Sequence, residues 1–170
     1  MTSSDVSSLE IAEGGARDVD ACVALWLEAL AARDGHEAAA GTAERCRGKF
    51  VLPRVAFPVL RDGAGELRGF SLVTGAGTGQ PEDPGDAAYL SLLAVEPGVQ
   101  GRGWGSRLLA CAVDSARARG FPGIVLHVLT DHVVALHLYE SRGWTRIGET
   151  FEHPLRGRPT ATLELNLVAR

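Results

Sequence analysis

Gln100, Gly101, Gly103 and Gly105 crowd into EPGVQGRGWGSRLLACAV (96–113), just ahead of apolar residues at helical spacing. A glycine turn running into a helix start can bind an anion. The first helical amides have no intrahelical partners and carry partial positive charge. Phosphate fits there, and glycine removes the Cβ that would hold a ligand off the backbone. Three phosphate-binding patterns compete. The P-loop string GxxxxGK[ST] does not occur. The dinucleotide fingerprint GxGxxG belongs beside a first strand, whereas the spacing here is GxGxG after several strands. The third pattern, Gln/Arg-x-x-Gly-x-Gly/Ala after a buried strand, is met by Gln100, Gly103 and Gly105.

Other chemistry-bearing side chains are sparse. The five histidines and three cysteines show no metal-ligand spacing, so no metal is expected. Cys22, Cys46 and Cys111 are odd in number and include no CxxC. Buried free thiols in a reducing compartment are expected. Lys49 is the only lysine; every other basic residue is an arginine.

The glycine turn needs a strand before it and a helix behind it. AYLSLLAV (88–95) is a nearly continuous apolar run, as expected of a strand buried on both faces. Leu108, Leu109, Ala112, Val113 and Ala116 mark one face of a helix from Trp104 to near Gly120. GIVLHVL (123–129) reads as a second buried strand, followed by a short helix over 131–141. Upstream, 9–14 reads as a strand, 19–32 as an amphipathic helix with Asp18 as its N-cap, and 38–51 as a second helix. Residues 55–62 and 67–75 read as strands joined by the turn DGAGE, with Pro58 marking an edge or bulge. Residues 75–88, rich in Gly, Pro and Asp, form a long loop, either a flap or an idle insertion. WTRIGETFE and TATLELNLV close the chain as strands around HPLRGRP.

The 170 residues suit one domain over 9–170 after a disordered tail at 1–8. The net charge of −4, from 17 basic and 21 acidic residues, argues against a nucleic-acid binder working by bulk charge. No apolar run approaches the roughly 20 residues of a membrane helix, and the first residues do not resemble a signal peptide. A cytoplasmic protein is expected, with homodimerisation left open.

With these elements in place, the chain resembles the GCN5-related N-acetyltransferases (GNAT) from about residue 9 to 168. LSLLAVEPGVQGRGWGSRLL resembles that family's acyl-CoA motif, and ALHLYESRGW (135–144) is similar to its A-x-x-L-Y-x-x-x-G-F segment. The resemblance implies an α/β fold: a mixed, mostly antiparallel twisted sheet with helices on both faces. Its parallel fourth and fifth strands, here 88–95 and 123–129, splay apart to admit acetyl-CoA. The resemblance further implies that the backbone of Leu93, Ala94 and Val95 meets the pantetheine arm, with the Leu93 amide polarising the thioester carbonyl. Gln100 and the stretch Gly101, Arg102, Gly103, Trp104, Gly105, Ser106 would hold the pyrophosphate, with Arg102 and Arg107 flanking it. Tyr139 matches the tyrosine that protonates the departing thiolate.

Two departures stand out. The family often has Asn, contacting the pantetheine, where this chain has His132. Many relatives carry a glutamate base on the fourth strand, and AYLSLLAV has no acid. His127, Asp86, Glu28, Asp34, His36 or a water chain are the alternatives for taking the amine proton. The acceptor is a small-molecule or peptide amine; Arg156 and Arg158 would suit an acidic one. The rival readings are a non-catalytic acyl-CoA-binding module, a user of longer acyl donors and, remotely, a dinucleotide-dependent oxidoreductase.

Overall fold

The computed structural model describes residues 8–154 and 157–168; residues 1–7 of the tail expected at 1–8, and Arg156, lie outside them. In chain order the elements are β1 (Glu10–Glu13), α1 (Val19–Asp34), α2 (Thr42–Lys49), β2 (Arg54–Ala56), β3 (Pro58–Arg61), β4 (Leu67–Thr74), β5 (Ala88–Val95), α3 (Trp104–Ala118), β6 (Gly123–Leu129), α4 (Val133–Glu140), β7 (Thr145–Glu152) and β8 (Pro159–Asn166). The strands make one sheet in the order β1-β3-β4-β5-β6-β8-β7, with β2 also paired to β4. Every pairing is antiparallel except β5–β6. The mixed, mostly antiparallel sheet is the expected one.

Three local readings change. The strand expected over 55–62 breaks at Phe57: Pro58 has no N–H for a ladder, and β2 and β3 pair with opposite ends of β4. The strands expected as fourth and fifth are therefore β5 and β6. The helix expected over 38–51 shrinks to α2, preceded by Gly41 at φ 87°. Asp18 is the N-cap residue of α1, as expected, but its side chain makes no hydrogen bond to that helix. Its carboxylate accepts from the Gly15 amide at 2.9 Å and pairs with Arg61 at 2.6 Å.

Side-chain alternation splits the core between the two sheet faces. Leu109, Ala112 and Ala116 of α3 and Leu136 and Tyr139 of α4 pack on Val73, Leu90, Ile124, Leu126 and Val128. On the other face Cys22, Val23 and Leu25 of α1 and Cys46 of α2 meet Phe57, Phe70, Leu72, Leu92 and Ala94. A β-bulge explains why Leu90 and Leu92, two residues apart, face opposite sides. Leu72 pairs with Leu92 but Val73 pairs with Leu90, so Ser91 is an extra residue in β5. The bulge reverses the phase of the strand.

Gly69 lets α3 settle on the sheet. A Cβ there would lie 3.1 Å from both the Ala94 carbonyl oxygen and Leu108 Cδ1. Replacing Gly69 by Val should cost about 1–3 kcal/mol through overpacking, read as a lower urea midpoint at unchanged m-value. Unchanged stability would show that α3 yields freely at this contact.

Candidate active site

The site begins where β5 and β6 separate. They pair only at Ala88–Ile124 and Tyr89–Val125, while β6 stays paired with β8 along all seven of its residues. From Leu90 onward a gap opens. The Glu96 amide donates to the Arg68 carbonyl at 2.8 Å. With Ala94 opposite Phe70 and Val95 opposite Gly69, antiparallel alternation turns the backbone of Leu92 and Ala94 towards β4. The N–H and C=O groups of Leu93 and Val95 face the gap. Ala94 borders the cavity but offers it no backbone hydrogen bond. The cavity of about 450 Å³ receives residues from β5, β6 and α4, and is walled across the sheet by α1 and α2.

At one end lies the start of α3. Gly101 and Gly103 have φ of 80° and 84°. A Cβ on either meets nothing within 4 Å, so backbone conformation, rather than crowding, selects glycine there. Gly105 has no such need. Its added Cβ would come no nearer than 3.9 Å to Val95 Cγ2, so the space beside it is open. Gly103 caps the helix without a side-chain hydrogen bond, leaving the amides of the first turn without a capping side chain. Gln100, expected to serve the cofactor, donates its Nε2–H to the Val95 carbonyl at 2.9 Å and braces the turn. Arg102 is exposed, and Arg107 lies 4.6 Å from the Trp104 ring centroid. Ser106 Oγ accepts from Arg142 at 2.7 Å. Arg142 escaped the sequence reading; its one signal was a basic residue inside the ALHLYESRGW segment.

Tyr139 and His132 border the same cavity. Burial pushes the Tyr139 phenol up to about 12. Its ring packs against Trp144 at a centroid distance of 5.8 Å. Burial, followed by repulsion from Arg33, lowers the pKa of His132 and favours the neutral imidazole. Of the side chains considered for taking the amine proton, Glu28, His36 and Asp86 are exposed and away from the cavity. Asp34 is held by Arg33 at 2.8 Å and Arg158 at 3.5 Å. His127 uses both ring nitrogens: Nδ1 lies 3.1 Å from the Tyr89 hydroxyl and Nε2 3.0 Å from Asp83 Oδ1. A proton on Nε2 satisfies both, with Tyr89 donating to Nδ1.

Asp83 ties the 75–88 loop to β6, and its other oxygen accepts from the Gln80 amide at 2.8 Å. Tyr89, Asp83 and Lys49 were not singled out for the site from sequence. Lys49 stood out only as the lone lysine, and Asp83 lies in a loop without periodicity.

Burial lowers the pKa of His127 despite Asp83, helped by repulsion from Lys49 and Arg45. A folded pKa below the unfolded value of about 6.5 gives stability that is full above that pH. It is lost as pH falls through the lowered value. NMR titration should therefore find His127 below 6.5 in the wild type, and lower still in Asp83→Asn. A higher value in the variant would mean that the carboxylate does not hold the imidazolium.

The fold matches known proteins. The model of the acetyltransferase (GNAT) family matches residues 52–144. The chain belongs to that family. A mycothiol acetyltransferase of Beutenbergia cavernae is 43% identical over 56 residues, 33% of this chain and 19% of that protein. The N-alpha-acetyltransferase RimI of Mycobacterium tuberculosis is 47% identical over 57 residues, 33% of this chain and 34% of that protein. The chain spans less than half the length of these relatives. Among solved structures, yncA from Salmonella typhimurium, determined with its cofactor acetyl-CoA, superposes with a TM-score of 0.69 at 20% identity, over 96% of each chain. No described helix is long and apolar enough to cross a membrane. No group of three His, Cys, Asp or Glu among the described residues is placed to hold a metal.

Proposed function

We propose that this chain transfers an acetyl group from acetyl-CoA to a primary amine by direct attack within a ternary complex. The observation that carries the reading is the parted β5–β6 edge. It turns the free backbone groups of Leu93 towards a cavity bordered by the Tyr139 ring. The family match and the acetyl-CoA in yncA support the choice of donor.

The pantetheine arm runs along Leu93 and Val95 as a partial extra strand, and His132 contacts it. The pyrophosphate lies on the amides of Gly101 to Ser106, with Arg102 and Arg142 beside it. The Leu93 N–H donates to the thioester oxygen as charge develops there; one such donor contributes about 10²–10³ in rate. The amine nitrogen forms the new bond to carbon, the carbon–sulfur bond breaks, and sulfur leaves as thiolate. Tyr139, held protonated across neutral pH, shares its proton with that sulfur. The amine enters in its neutral form, because an ammonium has no lone pair. The proton it sheds after attack passes to water.

Two variants test the donor half. Gly105→Ala should keep or raise stability, since alanine favours a helix by about 0.5–1 kcal/mol over glycine. It should weaken CoA binding at least tenfold in calorimetry by filling the open space. Tyr139→Phe should lower kcat about 10²-fold while CoA still binds. Undiminished turnover in Tyr139→Phe would remove the tyrosine from the chemistry. The lack of any carboxylate bordering the cavity, among the described residues, favours one rival, a non-catalytic acyl-CoA module. CoA binding with no turnover on any amine would select that rival, and preference for long acyl chains would displace acetyl as the donor group.

A further inference from the structure

Lys49, the last residue of α2, reaches the cavity from the α1/α2 side of the sheet. The bulge leaves Ser91 without a backbone pairing partner in β4, and Lys49 Nζ donates to the Ser91 carbonyl at 3.1 Å. It also lies 5.4 Å from the Tyr89 ring centroid. An ammonium has three donors, and no carboxylate among the described residues pairs with this one. Arg45, one helical turn earlier on the same face, also borders the cavity, with no carboxylate partner among the described residues. Burial and then repulsion from Arg45 lower Lys49 to about 8. Arg33, His132 and His153 border the cavity too, and no Asp or Glu among the described residues does. A half-buried cation without a counter-ion carries a desolvation cost that an anionic ligand would offset.

Resting on the acetyltransferase reading, we propose that Lys49 and Arg45 bind a carboxylate of the acceptor, so that the substrate is a small amino-acid-like amine. The spacing agrees. Ser91 and Leu93 are two residues apart, which at roughly 3.3 Å per residue places Lys49 about 7 Å from the thioester end of the cavity. An ion-pair contact of about 2.8 Å leaves room for a carboxylate one or two carbons from the attacking nitrogen. The phosphates of CoA lie at the α3 end in this arrangement and do not neutralise Lys49. A polyamine acceptor would meet like charge, and a peptide N-terminus would bring no carboxylate next to its amine. The modest cavity, shared with the pantetheine arm, also favours a small molecule.

The test compares the twenty amino acids with their carboxamides, first in calorimetric binding to the CoA-saturated protein and then in turnover with acetyl-CoA. The best acid should exceed its own amide by at least 50-fold in kcat/KM and bind measurably more tightly. Lys49→Met should cut that preference below fivefold, chiefly through KM, while CoA affinity stays within twofold. Lys49→Arg should restore much of it. Arg45→Gln, at an exposed position, should lower the preference five- to tenfold and decides the matter if Lys49→Met does not fold. The proposal is overturned if no acid surpasses its amide in binding or turnover, or if the preference survives in a folded Lys49→Met or in Arg45→Gln. A wild-type protein that fails to bind CoA overturns the acetyltransferase reading and this one with it. With CoA bound, a preference for amides overturns this one alone.

Discussion

Two parallel residue pairs make up the whole backbone ladder between β5 and β6, and the rest of the molecule is arranged around that shortage. A strand edge opened inside a domain exposes backbone donors and acceptors that must find partners. Here β8 pairs with the outer edge of β6 and β4 with the outer edge of β5. On β5, what stays open is the gap-facing row of Leu93 and Val95, with Gln100 already on the Val95 carbonyl. The apolar layer from α3 and α4 spans both halves of the sheet. The gap is thus kept by packing on one face while its backbone remains available on the edge.

The bulge at Ser91 is the second determinant. By reversing the phase of β5 it sends Tyr89 to the α1/α2 face alongside His127, and Leu90 to the α3/α4 face. It also frees the carbonyl that Lys49 takes. One inserted residue therefore sets both the aromatic-imidazole pair and the position of Lys49 at the cavity. The two ends of the cavity acquire different chemistry: helix amides at the α3 end, full positive charges at the α2 end.

Much of this was legible from sequence because it depends on period and punctuation. The apolar run of β5, the amphipathic α3 and the glycine turn between them are local patterns. Pro58 signalled an edge or bulge, but not that the strand over 55–62 would split into β2 and β3. The bulge was not legible, since AYLSLLAV is apolar throughout and a phase reversal leaves no trace in a continuous run. The glycines looked alike, yet Gly101 and Gly103 answer to φ and Gly105 to empty space. Asp83 and His127 lie 44 residues apart, and only the folded sheet brings them together. The only lysine was conspicuous in the composition, but nothing local said where it would point.

The contact between Asp83 and His127 has a mechanical side. The loop leaves the end of β4 and is tied to β6 before the chain turns into β5. That tie sits at the same end of the gap as the two surviving β5–β6 pairs. The sheet is therefore a V with its vertex strapped shut, and any breathing of its arms is greatest at the far end, beside Gln100 and the glycine turn. A long acyl-carrying molecule would be admitted sideways through the wide mouth, while the strapped vertex limits how deep its tip can travel.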